Sequence, residues 1–292
     1  MNYNLIDNFH ITTLNVGYAH HNADWNWNNV RSPFARLYYV IEGGAQIEFL
    51  SANKESQKTV TLSPNHLYII PPFSLHNEIC TGNFSHYYIH VFENQDSENF
   101  LLEDFDFPTE IEANPGDLAL FKRLSMLNPF IALPASNPDY YDNQSSLIKS
   151  INQDKQRSFS EIVESRGILY ILMSRFFKTA HQKMIISDNR ISQSVIYIRR
   201  NIGENFDIAN LASQSCMSKD YYIRRFKQET GLTPVVFINN RKMEHAELLL
   251  ITTEYPVKYI AALLGFEDCS YFNRVFLKHV GVTPQKYRNN NC

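Results

Sequence analysis

Residues 208–234 read IANLASQSCMSKDYYIRRFKQETGLTP, and residues 260–284 read IAALLGFEDCSYFNRVFLKHVGVTP. Five residues of the first stretch recur in the second at a shift of fifty positions: Arg224, Phe226, Gly231, Thr233 and Pro234 match Arg274, Phe276, Gly281, Thr283 and Pro284. A repeat with one constant shift indicates a single supersecondary unit that is used twice. This duplication decides the fold of the last hundred residues.

Each copy has the pattern of a helix-turn-helix. A short apolar helix meets a turn, and then Ser218 in the first copy or Asp268 in the second provides the N-cap of a second helix. Aromatic residues four positions apart would form one buried stripe in each second helix: Tyr222 with Phe226, and Phe272 with Phe276. The opposite face of each second helix is then exposed.

The exposed faces contain side chains that can read DNA bases. They are Lys219, Asp220, Ile223 and Arg224 in the first copy, and Cys269, Ser270, Asn273 and Arg274 in the second. Arginine pairs bidentately with guanine and asparagine with adenine in the major groove. The alternative interpretation is a solvated polar face on an ordinary helical bundle, which is common.

A single long helix is predicted between the two copies, from Val235 to Leu250, and it is followed by Pro256. Two recognition helices held by one rigid spacer helix can enter successive major-groove segments, roughly 34 Å apart on one side of the duplex. The duplication therefore favours DNA binding over the solvated-bundle interpretation.

The segment from about Arg190 to Arg288 resembles the DNA-binding domain of the AraC/XylS transcription regulators. The similarity rests on G-x-T-P after each second helix, on the spacer residues Arg241, Lys242, Ala246, Leu248 and Leu249, and on GFEDCSYFNRVF from Gly265 to Phe276. The resemblance implies that Asp220, Ile223 and Arg224 of the first copy face the bases, together with Cys269, Ser270, Asn273 and Arg274 of the second. It also implies double-stranded DNA and RNA polymerase as partners.

The positive charge of the chain is concentrated in the part that contains the repeat. Residues 187–292 contain 14 Lys and Arg against 10 Asp and Glu, whereas the rest contains 13 against 20. This basic excess is modest for a DNA-binding domain, so dimerisation is expected to supply further phosphate contacts.

The composition argues against several other classes of protein. With 292 residues and 44% apolar content, the chain is long enough for two globular domains. We expect neither a membrane span nor a leader, since no run of eighteen apolar residues is present. The four cysteines lack C-x-x-C spacing, which argues against a zinc site and a disulfide framework and favours a reducing bacterial cytoplasm. No cofactor is predicted.

The first hundred residues have the pattern of an antiparallel barrel or sandwich. Runs rich in Tyr, Val, Ile and Phe, separated by turn residues, span Ala35 to Glu42, Ala45 to Leu50, Thr59 to Leu62, Leu67 to Ile70 and Phe84 to Phe92. The stretches RLYYVIEGG and LYIIPPFSLHN look like the small cupin barrel that precedes the DNA-binding domain in AraC-type sensors. This second similarity is looser than the first.

A barrel of this size can enclose one small ligand. Alternation along the last run places Phe84, His86, Tyr88 and His90 on one face, which suits a sugar or another polar cyclic molecule. By resemblance to the arabinose-sensing members, the pocket residues would be Glu42, His76, Glu78, His86 and Tyr88. Each of these residues could instead be an ordinary core residue. Trp25 and Trp27 could line the pocket or pack at its rim.

A metal-dependent cupin enzyme is the rival class. Such a metal needs several His and Glu ligands at one point. The family's H-x-H start is missing before Glu42, which leaves His76 as the one matched position. We therefore predict that the chain is not an enzyme and that it has no metal site.

The middle of the chain is predicted to be helical, over Asp117 to Leu127, Ser145 to Ile151 and Ser158 to Lys183. An apolar stripe in the last of these segments would pair two chains in a homodimer, as in proteins that resemble this one, or pack on its own barrel. The predicted organisation is α+β: a cupin-like antiparallel barrel over residues 1–115, a helical dimerisation segment over 116–184, and an all-α double helix-turn-helix domain over 185–292.

The predicted function is that of a ligand-responsive transcription regulator. A small-molecule effector, sugar-like by preference, would bind in the barrel and change which arrangement of the domains is favoured. The alternative within the class is a constitutive regulator whose barrel only dimerises or contacts a partner protein.

Overall fold

The computed structural model describes residues 9–51, 54–93, 101–133, 135–141, 148–149, 151–152, 157–183 and 186–290. These residues divide into two compact units, 9–181 and 182–290. The N-terminal unit contains antiparallel β-sheets with helices, and the C-terminal unit is built from helices, so the chain has an α+β organisation. The described residues of 116–181, a range expected to be a separate segment, are part of the N-terminal unit.

Two antiparallel sheets form most of the N-terminal unit. One has the order β1-β8-β3-β6-β10 and the other the order β2-β7-β4-β5. The strands are β1 (Ile11–Asn22), β2 (Trp27–Val30), β3 (Ala35–Gly43), β4 (Ala45–Leu50), β5 (Ser56–Leu62), β6 (His66–Ile70), β7 (His76–Ile79), β8 (Asn83–Glu93), β9 (Phe105–Asp106), β10 (Glu110–Glu112) and β11 (His181–Gln182). The five predicted runs correspond to β3, β4, β5, β6 and β8, whereas β1, β2, β7, β9, β10 and β11 were not predicted.

Both sheets bury one face in a common core. Tyr38 and Val40 from β3 lie in the same buried cluster as Ile47 from β4 and Leu62 from β5. All six residues from Ala35 to Val40 are buried, because the other face of β3 is also covered. A strand covered on both faces loses the alternation of a half-exposed strand.

The unit contains the helices α1 (Leu101–Asp104), α2 (Asp117–Leu127), α3 (Pro138–Tyr141) and α4 (Phe159–Phe177), with a 3-10 turn at Pro129–Ile131. Helix α2 covers that second face. The ring of Phe121 in α2 lies 5.7 Å from that of Tyr39 in β3. An ion pair joins α2 to α4, in which Arg123 Nε lies 2.6 Å from Glu164 Oε1. Within the described residues, the later part of the apolar stripe of α4 is buried in the same unit (Ile168, Leu169, Leu172, Met173 and Phe176), whereas Phe159 and Val163 near its start are exposed.

The third predicted helix is shorter than expected. A capping box at Ser158 and Glu161 starts α4, but the helix ends at Phe177 rather than at Lys183. The residues that follow include the short strand β11, so the polar stretch after Phe177 does not continue the apolar stripe. In the second predicted helix, residues 148–149 and 151 are helical, and 145–147 and 150 lie outside the described residues.

The C-terminal unit contains seven described helices. They are α5 (Asn189–Arg200), α6 (Ile208–Gln214), α7 (Lys219–Thr230), α8 (Pro234–Thr252), α9 (Val257–Leu263), α10 (Cys269–Val280) and α11 (Pro284–Asn290). Helices α6 and α7 form the first helix-turn-helix, and α9 and α10 form the second. Gly231 and Gly281 end α7 and α10 in the left-handed conformation, with φ of 78° and 87°, which a glycine adopts without strain.

Helix α8 belongs to two separate cores. Phe237 and Ile238 in its first half pack with Tyr222 and Phe226 of α7. Met243, Ala246 and Leu250 in its second half pack with Phe272 and Phe276 of α10. The two copies of the repeat thus have their own hydrophobic cores on one shared helix, as the sequence predicted.

Candidate nucleic-acid interface and candidate ligand cavity

The first turns of α7 present the predicted base-facing residues. Lys219, Asp220 and Arg224 are exposed and Ile223 is half-buried. Tyr222 and Phe226, four residues apart, are fully buried and therefore fix which face of the helix points outward. Ser218 occupies the N-cap position, although its side chain makes no capping hydrogen bond.

The second copy repeats this arrangement in α10. Ser270, Asn273 and Arg274 are exposed and Cys269 is half-buried. Asp268 caps the helix, since its Oδ1 accepts the backbone N–H of Ser270 at 2.7 Å. The guanidinium of Arg274 lies 5.9 Å from the centre of the Tyr271 ring, which restricts the conformations of the arginine. Arg224 and Arg274 therefore occupy equivalent exposed positions in the two copies.

Polar contacts hold α7 against α5. The hydroxyls of Tyr222 and Ser194 lie 2.6 Å apart in a buried position. Asp188 caps α5 and accepts hydrogen bonds from Arg190 and from Arg225 of α7. Hydrogen bonds from Arg190 are the main reason that the pKa of the Asp188 carboxyl lies well below its usual range. The orientation of α7 is thus set by a hydrogen-bonded network as well as by its buried ring pair.

The repeat matches a known family. Residues 211–290 match the model of a helix-turn-helix domain. The C-terminal region therefore contains a helix-turn-helix domain. This assignment agrees with the two copies of the repeat on a shared α8.

Two relatives illustrate the match. The arabinose operon regulatory protein of Escherichia coli (strain K12) is 30% identical over 131 residues, which are 44% of this chain and 45% of that protein. The HTH-type transcriptional activator RhaR of Yersinia pseudotuberculosis (serotype O:3, strain YPIII) is 26% identical over 147 residues, or 49% of this chain and 51% of that protein. The chain thus spans about half the length of the curated relatives that it matches.

One solved structure is similar to about a third of the chain. It is the DNA-binding domain of AdpA in complex with a target DNA, which is 28% identical and aligns with 34% of this chain and 90% of that chain, at a TM-score of 0.34.

Among the described residues, no helix is long and apolar enough to cross a membrane.

A cavity of about 240 Å³, partly open to solvent, lies in the N-terminal unit. Its lining includes His86, Tyr88 and His90 of β8, together with His21 of the neighbouring strand β1 and Trp25. Further lining residues come from β1, β3 and the segment after α2: Tyr18, Ala19, His20, Asp24, Tyr38, Leu133, Ala135, Ser136 and Tyr141. The wall is therefore rich in aromatic rings and histidines.

Two histidines in this wall have unused hydrogen-bonding atoms. Nδ1 of His86 and Nε2 of His90 are buried without a hydrogen-bond partner. Burial lowers the pKa of both imidazoles well below the ordinary value, and neighbouring His21 adds to the effect at His86, as Arg36 does at His90. Both rings are therefore neutral at pH 7. A neutral imidazole can offer one donor and one acceptor to a ligand.

The five predicted ligand residues fall in three places. His86 and Tyr88 line the cavity. His76 and Glu78 are buried in β7 outside the lining, where Glu78 Oε1 accepts the hydroxyl of Tyr38 at 3.3 Å. His76 Nε2 lies 3.5 Å from the same carboxylate oxygen. Tyr38 belongs to the wall, so it connects this buried pair to the cavity.

Glu42 lies outside the cavity. Its side chain is exposed and accepts a hydrogen bond from Ser85 at 3.1 Å. The pairing of β3 with β8 shifts register between Val40 and Glu42, and a bulge of this kind changes the face to which the following side chain points. The resemblance that suggested Glu42 as a pocket residue does not take this shift into account.

Sequence reasoning missed the contribution of β1. His21 and the preceding residues His20, Ala19 and Tyr18 line the cavity, yet the strand was not predicted. Its register with β8 shifts between Thr13 and Asn15, which interrupts the alternation that would have marked it as a strand. Trp25, which the sequence left between wall and rim, lines the cavity, whereas the lining does not include Trp27.

Proposed function

We propose that the chain is a sequence-specific DNA-binding transcription regulator, in which α7 and α10 enter successive major-groove segments. The observation that supports this most is the equivalent placement of Arg224 and Arg274. Each lies on the exposed face of a helix whose opposite face carries a buried aromatic pair. Both helices pack on α8, which gives them a common support. The names of the matched relatives, an operon regulatory protein and a transcriptional activator, agree with this function.

We infer that α10 contributes more to base recognition than α7. Asn273 and Arg274 offer the two side chains that pair bidentately with adenine and guanine. In α7, Asp220 can accept only from cytosine or through water, and Ile223 has no polar group. Lys219 and Arg224 then mainly contact phosphates and one base.

A dimer supplies the phosphate contacts that one chain lacks. Helices α2 and α4 and the 3-10 turn after α2 expose large apolar side chains at 52–82% of their area: Met126, Phe130, Phe159 and Val163. Exposed apolar groups in one region favour a protein interface over solvent. The occupant that we propose is a second copy of the chain in a twofold dimer, with RNA polymerase as a further partner of the DNA-bound protein.

The cavity of the N-terminal unit is proposed as the effector site. At about 240 Å³ it lies below the roughly 300–1,000 Å³ of sites for drug-sized ligands, so a small molecule suits it. Neutral His86 and His90 favour an uncharged ligand with both donors and acceptors, and the surrounding rings can stack on a cyclic one. A sugar-like molecule has these properties. Binding would act by favouring one arrangement of the two units.

Selection of DNA tests the regulator proposal. The full chain is incubated with a random pool of duplexes, and the enriched sequences are read after several rounds. We expect one enriched site whose binding weakens at least tenfold in Arg274→Ala, with relaxed preference at one base pair. Lys286→Ala removes a charge from α11 and should reduce affinity equally for all sequences. Failure of the wild-type chain to enrich any sequence would overturn the proposal.

A thermal-shift screen tests the effector proposal. Sugars, polyols, organic acids and amines are added to the full chain, and a ligand at a hundred times its Kd stabilises the native state by about 2.7 kcal/mol. We expect a stabilising neutral compound whose effect is lost in His86→Gln and His90→Gln. A compound that stabilises all three chains equally binds elsewhere. If neutral compounds leave the wild type unchanged while an acid or amine stabilises it, the ligand class is wrong.

A further inference from the structure

Lys242 of α8 lies between the two helix-turn-helix units. Its side chain is 4% exposed, and its ammonium group lies 5.6 Å from the Phe206 ring and 5.1 Å from the Phe266 ring. Phe206 precedes α6 in the first unit, whereas Phe266 follows α9 in the second. The Nζ donates a hydrogen bond to the carbonyl oxygen of Glu204 at 2.7 Å. One side chain of the shared helix thus contacts both copies of the repeat.

The two copies also touch through their backbones at this place. Gly265 has φ of +70°, and a Cβ there would lie 2.4 Å from the carbonyl oxygen of Gly203. A Cβ at Gly203 would lie 2.6 Å from the carbonyl oxygen of Leu263. Neither position has room for a side chain. We call this contact, formed by residues 203–206, Lys242 and residues 263–267, the inter-copy contact.

An exposed hydrogen bond closes the edge of the inter-copy contact. Asn205 Nδ2 donates to Glu267 Oε1 at 3.0 Å. The first residue belongs to the loop before α6 and the second to the turn before α10. The inter-copy contact therefore extends from a buried ammonium to a surface pair, and its two ends can be altered independently.

The burial of Lys242 is costly, and this cost points to a role. Desolvation lowers the pKa of its ammonium to about 8, because burial disfavours the charged form. An apolar side chain of similar length would pack between two phenylalanine rings without that cost. What the apolar side chain cannot do is donate to the Glu204 carbonyl, and so tie the first copy to α8 at this point.

We propose that Lys242 is a positioning residue that fixes the angle between α7 and α10, and thereby sets the base-pair spacing that the domain accepts. Helix α8 alone joins the copies along one line, and rotation of either copy against that line would change where its recognition helix points. The inter-copy contact is a second attachment, and it prevents this rotation. The inference rests on the proposed function, since it requires both helices to bind one DNA molecule.

The test measures spacing preference rather than affinity. The duplex enriched by the full chain is footprinted to locate its two protected segments, and variants with one base pair inserted or deleted between them are made. Each base pair adds about 3.4 Å and a rotation of about 34–36°. We expect the wild type to lose at least about tenfold in affinity on either change. Lys242→Met should lose less than about threefold, whereas Lys242→Arg, which keeps the donor, should restore most of the preference.

Two further variants separate positioning from other effects. Lys258→Met removes an exposed positive charge from α9, so it should weaken all spacings by one common factor and leave the preference intact. Asn205→Ala opens only the exposed edge of the inter-copy contact, so the chain should fold normally and show a partial loss of preference. Thermal unfolding of each variant checks the fold.

The outcomes distinguish the two claims. Unchanged spacing preference in folded Lys242→Met or, if that variant does not fold, in Asn205→Ala would overturn the positioning role while leaving DNA binding intact. No enriched duplex for the wild type would overturn the proposed function itself. Equal loss of affinity at every spacing would reduce Lys242 to a phosphate contact or a stability residue.

Discussion

The hydroxyl oxygen of Tyr88 accepts a hydrogen bond from the backbone N–H of Leu133 at 2.8 Å. This bond ties the wall of the cavity to the segment after α2, whose residues Leu133, Ala135, Ser136 and Tyr141 also line it. The same segment has a second attachment, because the ring of Tyr141 lies 5.2 Å from that of His90. A ligand that touches Tyr88 or His90 therefore contacts side chains that hold this segment in place.

Tyr88→Phe should loosen the segment without unfolding the sheets. The variant removes the acceptor for the Leu133 amide but keeps the ring, so we expect faster hydrogen exchange at Leu133 and a loss of about 1 kcal/mol in unfolding free energy. Tyr87→Phe, on the opposite face of β8, is the control and should leave that amide protected. Undiminished protection of Leu133 in Tyr88→Phe would show that other contacts hold the segment.

The buried histidines make the N-terminal unit sensitive to acid. Burial lowers the pKa of His86 and His90, and also that of His21, below the ordinary value of 6.5. The unfolded chain then binds protons below pH 6.5 that the folded unit does not, so stability falls as the pH falls from there. The slope of the unfolding free energy against pH approaches about 1.4 kcal/mol per pH unit for each histidine whose pKa is lowered.

Trp25 and Trp27 are the two tryptophans of the chain, so their fluorescence follows the N-terminal unit during urea unfolding. We expect the urea concentration at the unfolding midpoint to decrease when the pH is lowered from 7 to 5. This decrease should be smaller in His86→Gln and in His90→Gln. His181→Gln, at an exposed position, should reproduce the wild-type slope. Identical slopes in all four proteins would mean that these two rings take up protons in the folded chain as readily as in the unfolded chain.

The C-terminal unit was predictable because its evidence is local. Aromatic pairs four residues apart and a glycine after each recognition helix act within a few residues. The constant shift of fifty positions shows that the same local signals occur twice. The exposed placement of Arg224 and Arg274 followed from those pairs alone. The inter-copy contact was not predictable, since Gly203 and Lys242 meet residues near Gly265 only after both copies have folded.

The N-terminal unit was predicted less completely, and the physical reason is irregular pairing. Phe84, His86, Tyr88 and His90 alternate without interruption along β8 and were placed on one face. Register shifts at Thr13 and Asn15 in β1 hid that strand, and a shift before Glu42 in β3 moved one predicted residue outside. Bulges depend on the partner strand, so a single run of sequence does not reveal them.

The two copies of the repeat differ at one buried ring, and this difference predicts that two exchanges of Tyr and Phe destabilise the chain to different extents. Tyr222 in α7 places its hydroxyl 2.6 Å from that of Ser194, whereas Phe272 at the equivalent position in α10 packs against the rings of Phe266 and Phe276. Tyr222→Phe should cost about 1 kcal/mol through the lost hydrogen bond. Phe272→Tyr should cost more, about 1–3 kcal/mol, because it buries a hydroxyl among rings.

Both variants are measured by urea unfolding followed by circular dichroism at 222 nm, with tryptophan fluorescence as the control for the N-terminal unit. A chain in which Phe272→Tyr is as stable as the wild type would indicate that a polar partner reaches this position. The reverse order of the two costs would contradict the interpretation of both sites.

The pH dependence of stability provides an independent check on the burial of Lys242. Its pKa is about 8 in the folded chain, below the ordinary value of 10.5, so the unfolded chain binds the extra proton between these values. The unfolding free energy that the wild-type residue contributes should therefore rise with pH from about 8 to 10, by at most about 1.4 kcal/mol per pH unit.

The measurement is the unfolding free energy of the C-terminal unit in the wild type minus that in Lys242→Met, at pH 7, 8, 9 and 10. We expect a constant difference up to pH 8 and then a change in favour of the wild type, while Lys258→Met gives a flat difference throughout. A flat difference for Lys242→Met as well would mean that water reaches the ammonium, and that the two phenylalanine rings do not seal it.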